Sequence, residues 1–134
     1  MTEKTYMGLD ISTSHIGICI STKSDKIILF ENFDLSKLGD MSIFDKAKLF
    51  RLKIIDVFEK YGTPEKIYIE KALLMFKGAA SRIQVIVLLQ QFNALCQFVL
   101  YELGHTVTLI ASSTALKATT GHGRKPKFID DKKA

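Results

Sequence analysis

Three short apolar runs follow one another at the start of the chain, at 5–11, 14–22 and 26–33, with only tight polar turns between them. Runs this short are strand-length, and turns this tight join strands that run antiparallel, so the opening of the sequence predicts a three-stranded meander. In the second run Ile16, Ile18 and Ile20 share one face, the period of a strand with one side buried. The period then changes. Ile43, Ala47, Phe50, Ile54, Phe58 and Tyr61 recur at helical spacing, behind Ser42 with Asp45 three residues on, a capping-box-like start. Gly62-Thr63-Pro64 stops that helix. A fourth strand is expected at 66–70, a long helix from about Ala79 to Leu103 ending at Gly104, and a fifth strand at 106–110. A polar turn or short helix at 112–119 leads into Gly121-His122-Gly123-Arg124-Lys125-Pro126-Lys127. No repeat, low-complexity tract or linker interrupts this order, so residues 1–134 are expected to form a single α/β domain.

Two of the expected strands end on an acid. Asp10 closes the first and opens a turn of small residues, Ser12-Thr13-Ser14, and Glu70 follows Ile67-Tyr68-Ile69. Asp suits turns for local hydrogen-bonding reasons, but a glutamate after Ile-x-Ile has no such need. If the two strands lie side by side and parallel, their carboxylates converge and repel unless a cation sits between them. Asp10 and Glu70 are therefore candidate ligands of a divalent metal.

Composition narrows the class. Hydrophobic residues make up 47% and charged residues 25%, which argues against disorder. The net charge of +5 suits a polyanionic partner, and the excess is concentrated: after residue 116, Lys117, Arg124, Lys125, Lys127, Lys132 and Lys133 face only Asp130 and Asp131. Gly121 and Gly123 within that basic stretch let backbone approach a phosphate, so Lys117, Arg124, Lys125 and Lys127 are candidate nucleic-acid contacts. Cys19 and Cys96 lie in apolar stretches without metal-ligand spacing and read as reduced, buried thiols of a cytoplasmic protein. Met1–Tyr6 is too polar for a secretory signal, and Gln84, Gln90, Gln91, Asn93 and Gln97 break the long apolar helix, so no membrane role is expected.

Three antiparallel strands, helix, strand, helix, strand is the element order of the ribonuclease H-like fold. The Gly8-Leu9-Asp10-Ile11-Ser12 opening with Gly17, the Ile67-Tyr68-Ile69-Glu70 strand, Gln90, and Lys117 with the 121–127 segment together resemble RuvC-type Holliday junction resolvases over residues 5 to about 130. The resemblance implies a mixed five-stranded sheet, three antiparallel strands then two parallel, with helices on its faces. It implies a dimeric endonuclease that uses Mg²⁺ or Mn²⁺, held by Asp10 and Glu70, to cut four-way DNA junctions. It also implies a last helix with further acidic ligands. The sequence ends at Ala134, about where that helix should begin, so a C-terminal truncation is expected unless Asp130 or Asp131 serves instead.

The long helix carries apolar residues on several sides, more than one sheet face can cover, which points to a homodimer through 79–103. Met75 and Phe76, soon after Glu70, are candidates for an apolar wedge at the junction centre. His15 is expected to face solvent or pack beside its turn, and His122 to be a solvated loop histidine. Two rival readings stand beside the nuclease: a non-catalytic junction-binding protein, and an actin-like or sugar-kinase-like nucleotide-binding half-domain with phosphate at Ser12-Thr13-Ser14.

Overall fold

The computed structural model describes residues 3–71 and 83–111. The meander is formed by β1 (Thr5–Ile11), β2 (His15–Thr22) and β3 (Ile27–Asp34). After a single 3₁₀ turn at Ser36–Leu38 come α1 (Ile43–Tyr61), β4 (Lys66–Glu70), α2 (Ile83–Glu102) and β5 (Val107–Ile110). The sheet order is β3-β2-β1-β4-β5, antiparallel among the first three strands and parallel from β1 through β4 to β5. This is the expected mixed five-stranded arrangement. The strand and helix bounds lie within a residue of the sequence expectation, except that residues 79–82 lie outside the described residues.

Alternation decides the two faces of the sheet. Met7, Leu9 and Ile11 of β1, Ile16, Ile18 and Ile20 of β2, and Ile67 and Ile69 of β4 are all buried on one side. They form one core with Phe50, Ile54 and Val57 of α1 and Phe92, Cys96, Val99 and Leu100 of α2. Both described helices thus cover the same face. The opposite face carries Gly8, Asp10, Gly17, Cys19, Phe30, Asn32, Tyr68 and Glu70, by the pairing register. Phe30 is 81% exposed there.

Local chemistry sets the helix limits. Ser42 Oγ accepts the Asp45 backbone N–H at 3.1 Å and donates to the Asp45 carboxylate at 3.2 Å, so the cap is reciprocal through the side chains. At the far end of α2, His105 N–H bonds to Leu100 O at 2.9 Å and Gly104 N–H to Tyr101 O at 3.0 Å. These are the two bonds of a Schellman ending, and Gly104 supplies the left-handed residue it needs at φ 93°.

By length and composition alone, α2 is a helix that could cross a membrane. In this fold its apolar side is part of the domain core, and the buried polar residue among those side chains, Asn93, has partners on both sides of its amide. Phe92 has no exposed surface and joins that core, so Phe92→Ala is expected to cost about 3–5 kcal/mol of stability in urea denaturation.

Candidate functional site

The register of β1 on β4 brings the two sequence-predicted acids together. Met7 lies opposite Ile67 and Leu9 opposite Ile69, so one residue further Asp10 and Glu70 leave the ladder as neighbours. Both point to the face away from the helices, because Gly8 and Tyr68, two residues earlier, are themselves partners on that face. The Glu70 charge is close enough to push the Asp10 carboxyl above its ordinary value. The larger cause is lost hydration: although much of Asp10 is open to solvent, its short side chain keeps the carboxyl close to the sheet.

Glycine surrounds Asp10 on two sides. Gly17 is its partner on β2, and Gly8 precedes it on the same face of β1. A Cβ on Gly8 would meet nothing within 4 Å, and one on Gly17 would rest on Asp10 Cβ at an ordinary 3.6 Å. Crowding demands neither glycine. Their effect is to leave a flat floor beside the carboxylates, where a polymer backbone can come close.

The strand ends that carry the acids are held from beneath. Asn93 of α2 is buried and donates from Nδ2 to the carbonyl of Glu70 at 3.4 Å, while its Oδ1 accepts from Gln97 at 2.7 Å. The sequence shows Asn93 only as a polar break in an apolar helix; its link to Glu70 depends on tertiary packing. On the other side, Lys46 of α1 donates to the carbonyl of Thr13 at 2.7 Å and fixes the turn after Asp10. Ser12 closes that turn, with its N–H on His15 O and its Oγ accepting His15 N–H, both at 2.9 Å.

His15 does more than face solvent. Its Nδ1 lies 3.2 Å from Asn32 Nδ2 and 3.7 Å from the Asp34 carboxylate. The Asp34 carboxyl is held below its ordinary value, first by the Ser36 hydroxyl and N–H and in part by His15. The remaining predicted site residues, Lys117, Arg124, Lys125, Lys127, Met75 and Phe76, lie outside the described residues, as do Asp130, Asp131 and His122. Among the described residues no group of three or more His, Cys, Asp or Glu side chains comes together as a metal cluster. Cys19 and Cys96 are both free thiols, and burial pushes each upward in pKa.

Solved structures similar to this chain share its architecture. Thermus thermophilus RuvC in complex with Holliday junction substrate superposes with a TM-score of 0.66 at 10% identity, over 96% of this chain and 87% of that one. The yeast mitochondrial Holliday junction resolvase Ydc2 gives 0.55 at 13% identity, over 85% of this chain and 52% of that one. The ethanolamine utilization protein EutJ from Carboxydothermus hydrogenoformans gives 0.56 at 13% identity, over 90% of this chain but only 42% of its own length. The fold is ribonuclease H-like. No family model matches the sequence, and no curated protein matches it.

The raised Asp10 carboxyl has a consequence for stability. Its contribution to folding is fully present below the unfolded value of 3.8 and is lost as pH rises through the higher folded value. Asp10→Asn removes that loss. In EDTA the variant is expected to melt above the parent at pH 7, with the difference shrinking as the pH is lowered towards 3.8.

Proposed function

We propose that this chain is a divalent-metal-dependent endonuclease of branched DNA, acting on four-way junctions as a homodimer. The observation that carries the reading is the Asp10–Glu70 pair at the ends of adjacent parallel strands, on the sheet face opposite the two described helices. The fit to Mg²⁺ or Mn²⁺ rests on the donors: two hard oxygen ligands, brought together against their own repulsion. Bound there, such cations would supply Lewis acidity to a phosphodiester and make a water more acidic. The chain's own part is to fix the backbone that carries the carboxylates, through Asn93 on the Glu70 carbonyl and Lys46 on the Thr13 carbonyl, and to keep the floor at Gly8 and Gly17 small for a DNA strand.

The likeness to a RuvC bound to a Holliday junction supports branched DNA as the partner. Lys117, Arg124, Lys125 and Lys127 would bind phosphates, and Met75 and Phe76 would form the wedge at the junction centre. The nucleotide-binding alternative has weaker support, since it gives no reason for a second carboxylate, Glu70, beside Asp10. Junction binding without cleavage is the second reading: among the described residues no group of three or more acids, histidines or cysteines forms a metal cluster. Titration calorimetry with Mn²⁺ separates these readings. The parent should bind and gain thermal stability while Asp10→Asn does neither, and equal Mn²⁺ binding by both would refute the metal site. Junction cleavage should require Asp10, whereas junction affinity should survive Asp10→Asn because it comes mainly from phosphate binding. In salt titrations of junction binding, the Lys125→Ala, Lys127→Ala double variant should lower the log–log slope by about 0.9 for each phosphate no longer neutralised.

The dimer reading rests on α2. Val87, Gln91, Ala94, Phe98 and Tyr101 are all exposed and alternate at spacings of four and three, the seam of a helix that meets another helix. Phe98 is 54% exposed and Tyr101 73%, a large apolar surface to leave in water. A two-fold pairing along this seam would give a junction two symmetric active sites. Sedimentation should therefore show a dimer at micromolar concentration that Phe98→Glu dissociates without unfolding; a compact parent monomer would overturn the pairing.

A further inference from the structure

Asn32, Asp34 and His15 form a polar group on the same face as Asp10, and neither the metal reading nor the fold accounts for it. Asp10 is opposite Gly17, and Gly17 is opposite Asn32, so Asn32 stands two strands from Asp10 with only a glycine between. His15 is two residues before Gly17, which makes it the diagonal neighbour of Asp10 at about 7–8 Å, within reach of long and aromatic side chains. The space over Gly17 is thus walled by a carboxylate on one side and by an imidazole and an amide on the other.

The partners of His15 decide what its ring can do. With Asn32 Nδ2 donating to Nδ1 at 3.2 Å, the neutral ring carries its proton on Nε2. When the ring is protonated, Nδ1–H faces the Asp34 carboxylate at 3.7 Å, and Nε2 again carries a proton. Nε2 is a hydrogen-bond donor in both states. Such a group suits an anionic oxygen and cannot act as a general base. The ring is also costly to displace, because Ser12 and Lys46 fix its turn and Ser14 O accepts Leu35 N–H at 2.7 Å from the end of β3. The His15 side chain is still 47% exposed, so its outer edge is free to meet a ligand.

We propose that His15 is a phosphate-binding residue of the site: its Nε2–H donates to a non-bridging oxygen of a DNA phosphodiester lying over Gly17, with Asn32 and Asp34 fixing the ring for that bond. The inference rests on the nuclease reading above, and deepens it by naming a substrate-binding group beyond the carboxylates. It would hold the strand on the side of the phosphate away from Glu70.

Nitrogen NMR on ¹⁵N-histidine protein tests it, with cleavage suppressed by EDTA. The chain has three histidines, and His15→Gln assigns the ring. The free protein should show His15 with Nε2 protonated and Nδ1 bare at alkaline pH, and Asn32→Ala should release it to a mixture of tautomers. A four-way DNA junction should shift the His15 ring resonances. By anisotropy, His15→Ala should weaken junction binding about tenfold, as expected for a hydrogen bond to a charged group. His15→Gln, which keeps a donor at a similar reach, should restore most of that affinity, a rescue that a purely structural role would not give. If the junction binds the parent and His15→Ala alike and the ring signals stay still, the inference is wrong while the nuclease reading stands. If no form of the protein binds the junction, both fall.

Discussion

Parallel pairing of β1 with β4 is the constraint on which the site depends, and burial on the far side of the sheet enforces it. Strand side chains alternate, so a slip of one residue would turn Ile67 and Ile69 out to solvent and drive Lys66, Tyr68 and Glu70 into the core. Burying an isoleucine is worth about 1.5–3 kcal/mol, and both of these are packed against Met7 and Leu9 and the helices. That is enough to hold two carboxylates side by side in a partly hydrated position. The acids are neighbours because the isoleucines beneath them have one register to occupy.

The hairpins extend the same logic sideways. β2 pairs with β1 from Ile16 to Thr22, and β3 follows β2 until a register shift between Ile20 and Ser21, where Ile28 is the extra residue. That irregularity is confined to the far end of the hairpin. At the end near Asp10 the pairing is regular, from Ile16 with Phe33 to His15 with Asp34. The polar groups of three strands therefore arrive at one edge on one face, while a Lys53–Glu31 ion pair and Lys53 over the Phe33 ring tie β3 to α1 on the other.

Much of this is legible in the residues. The isoleucine alternation of β2, the Ser42 cap and the glycine stops give strands and helices nearly to the residue, because each is a local signal. The Asp10–Glu70 pair is legible for a different reason: an acid at the end of an apolar strand contradicts the strand's own pattern. The His15–Asn32–Asp34 group is not, since His15 and Asn32 become neighbours only through hairpin register, which no local pattern states. The 3₁₀ turn at Ser36–Leu38 escapes the sequence because one buried residue, Leu35, anchors it without any period. Asn93 stands out in the sequence but its role does not, since its partner is a backbone carbonyl on another element.

Helix α2 joins features that the sequence presents separately. Its inner side fills the core with Phe92, Cys96 and Leu100, its Asn93 holds the carbonyl of Glu70, and its outer seam is apolar and exposed. A helix is stiff over this length, so a partner seated on the seam would be linked to the Glu70 end of the sheet through one rigid element. In the proposed dimer, the distance between the two carboxylate pairs would then be set by the helix pairing and not by flexible loops. That matters for a substrate with two symmetric points of attack, where the separation of the sites selects the junction. Sequence changes along the outer seam would in this way alter which branched DNA fits, without touching any residue at Asp10 or Glu70.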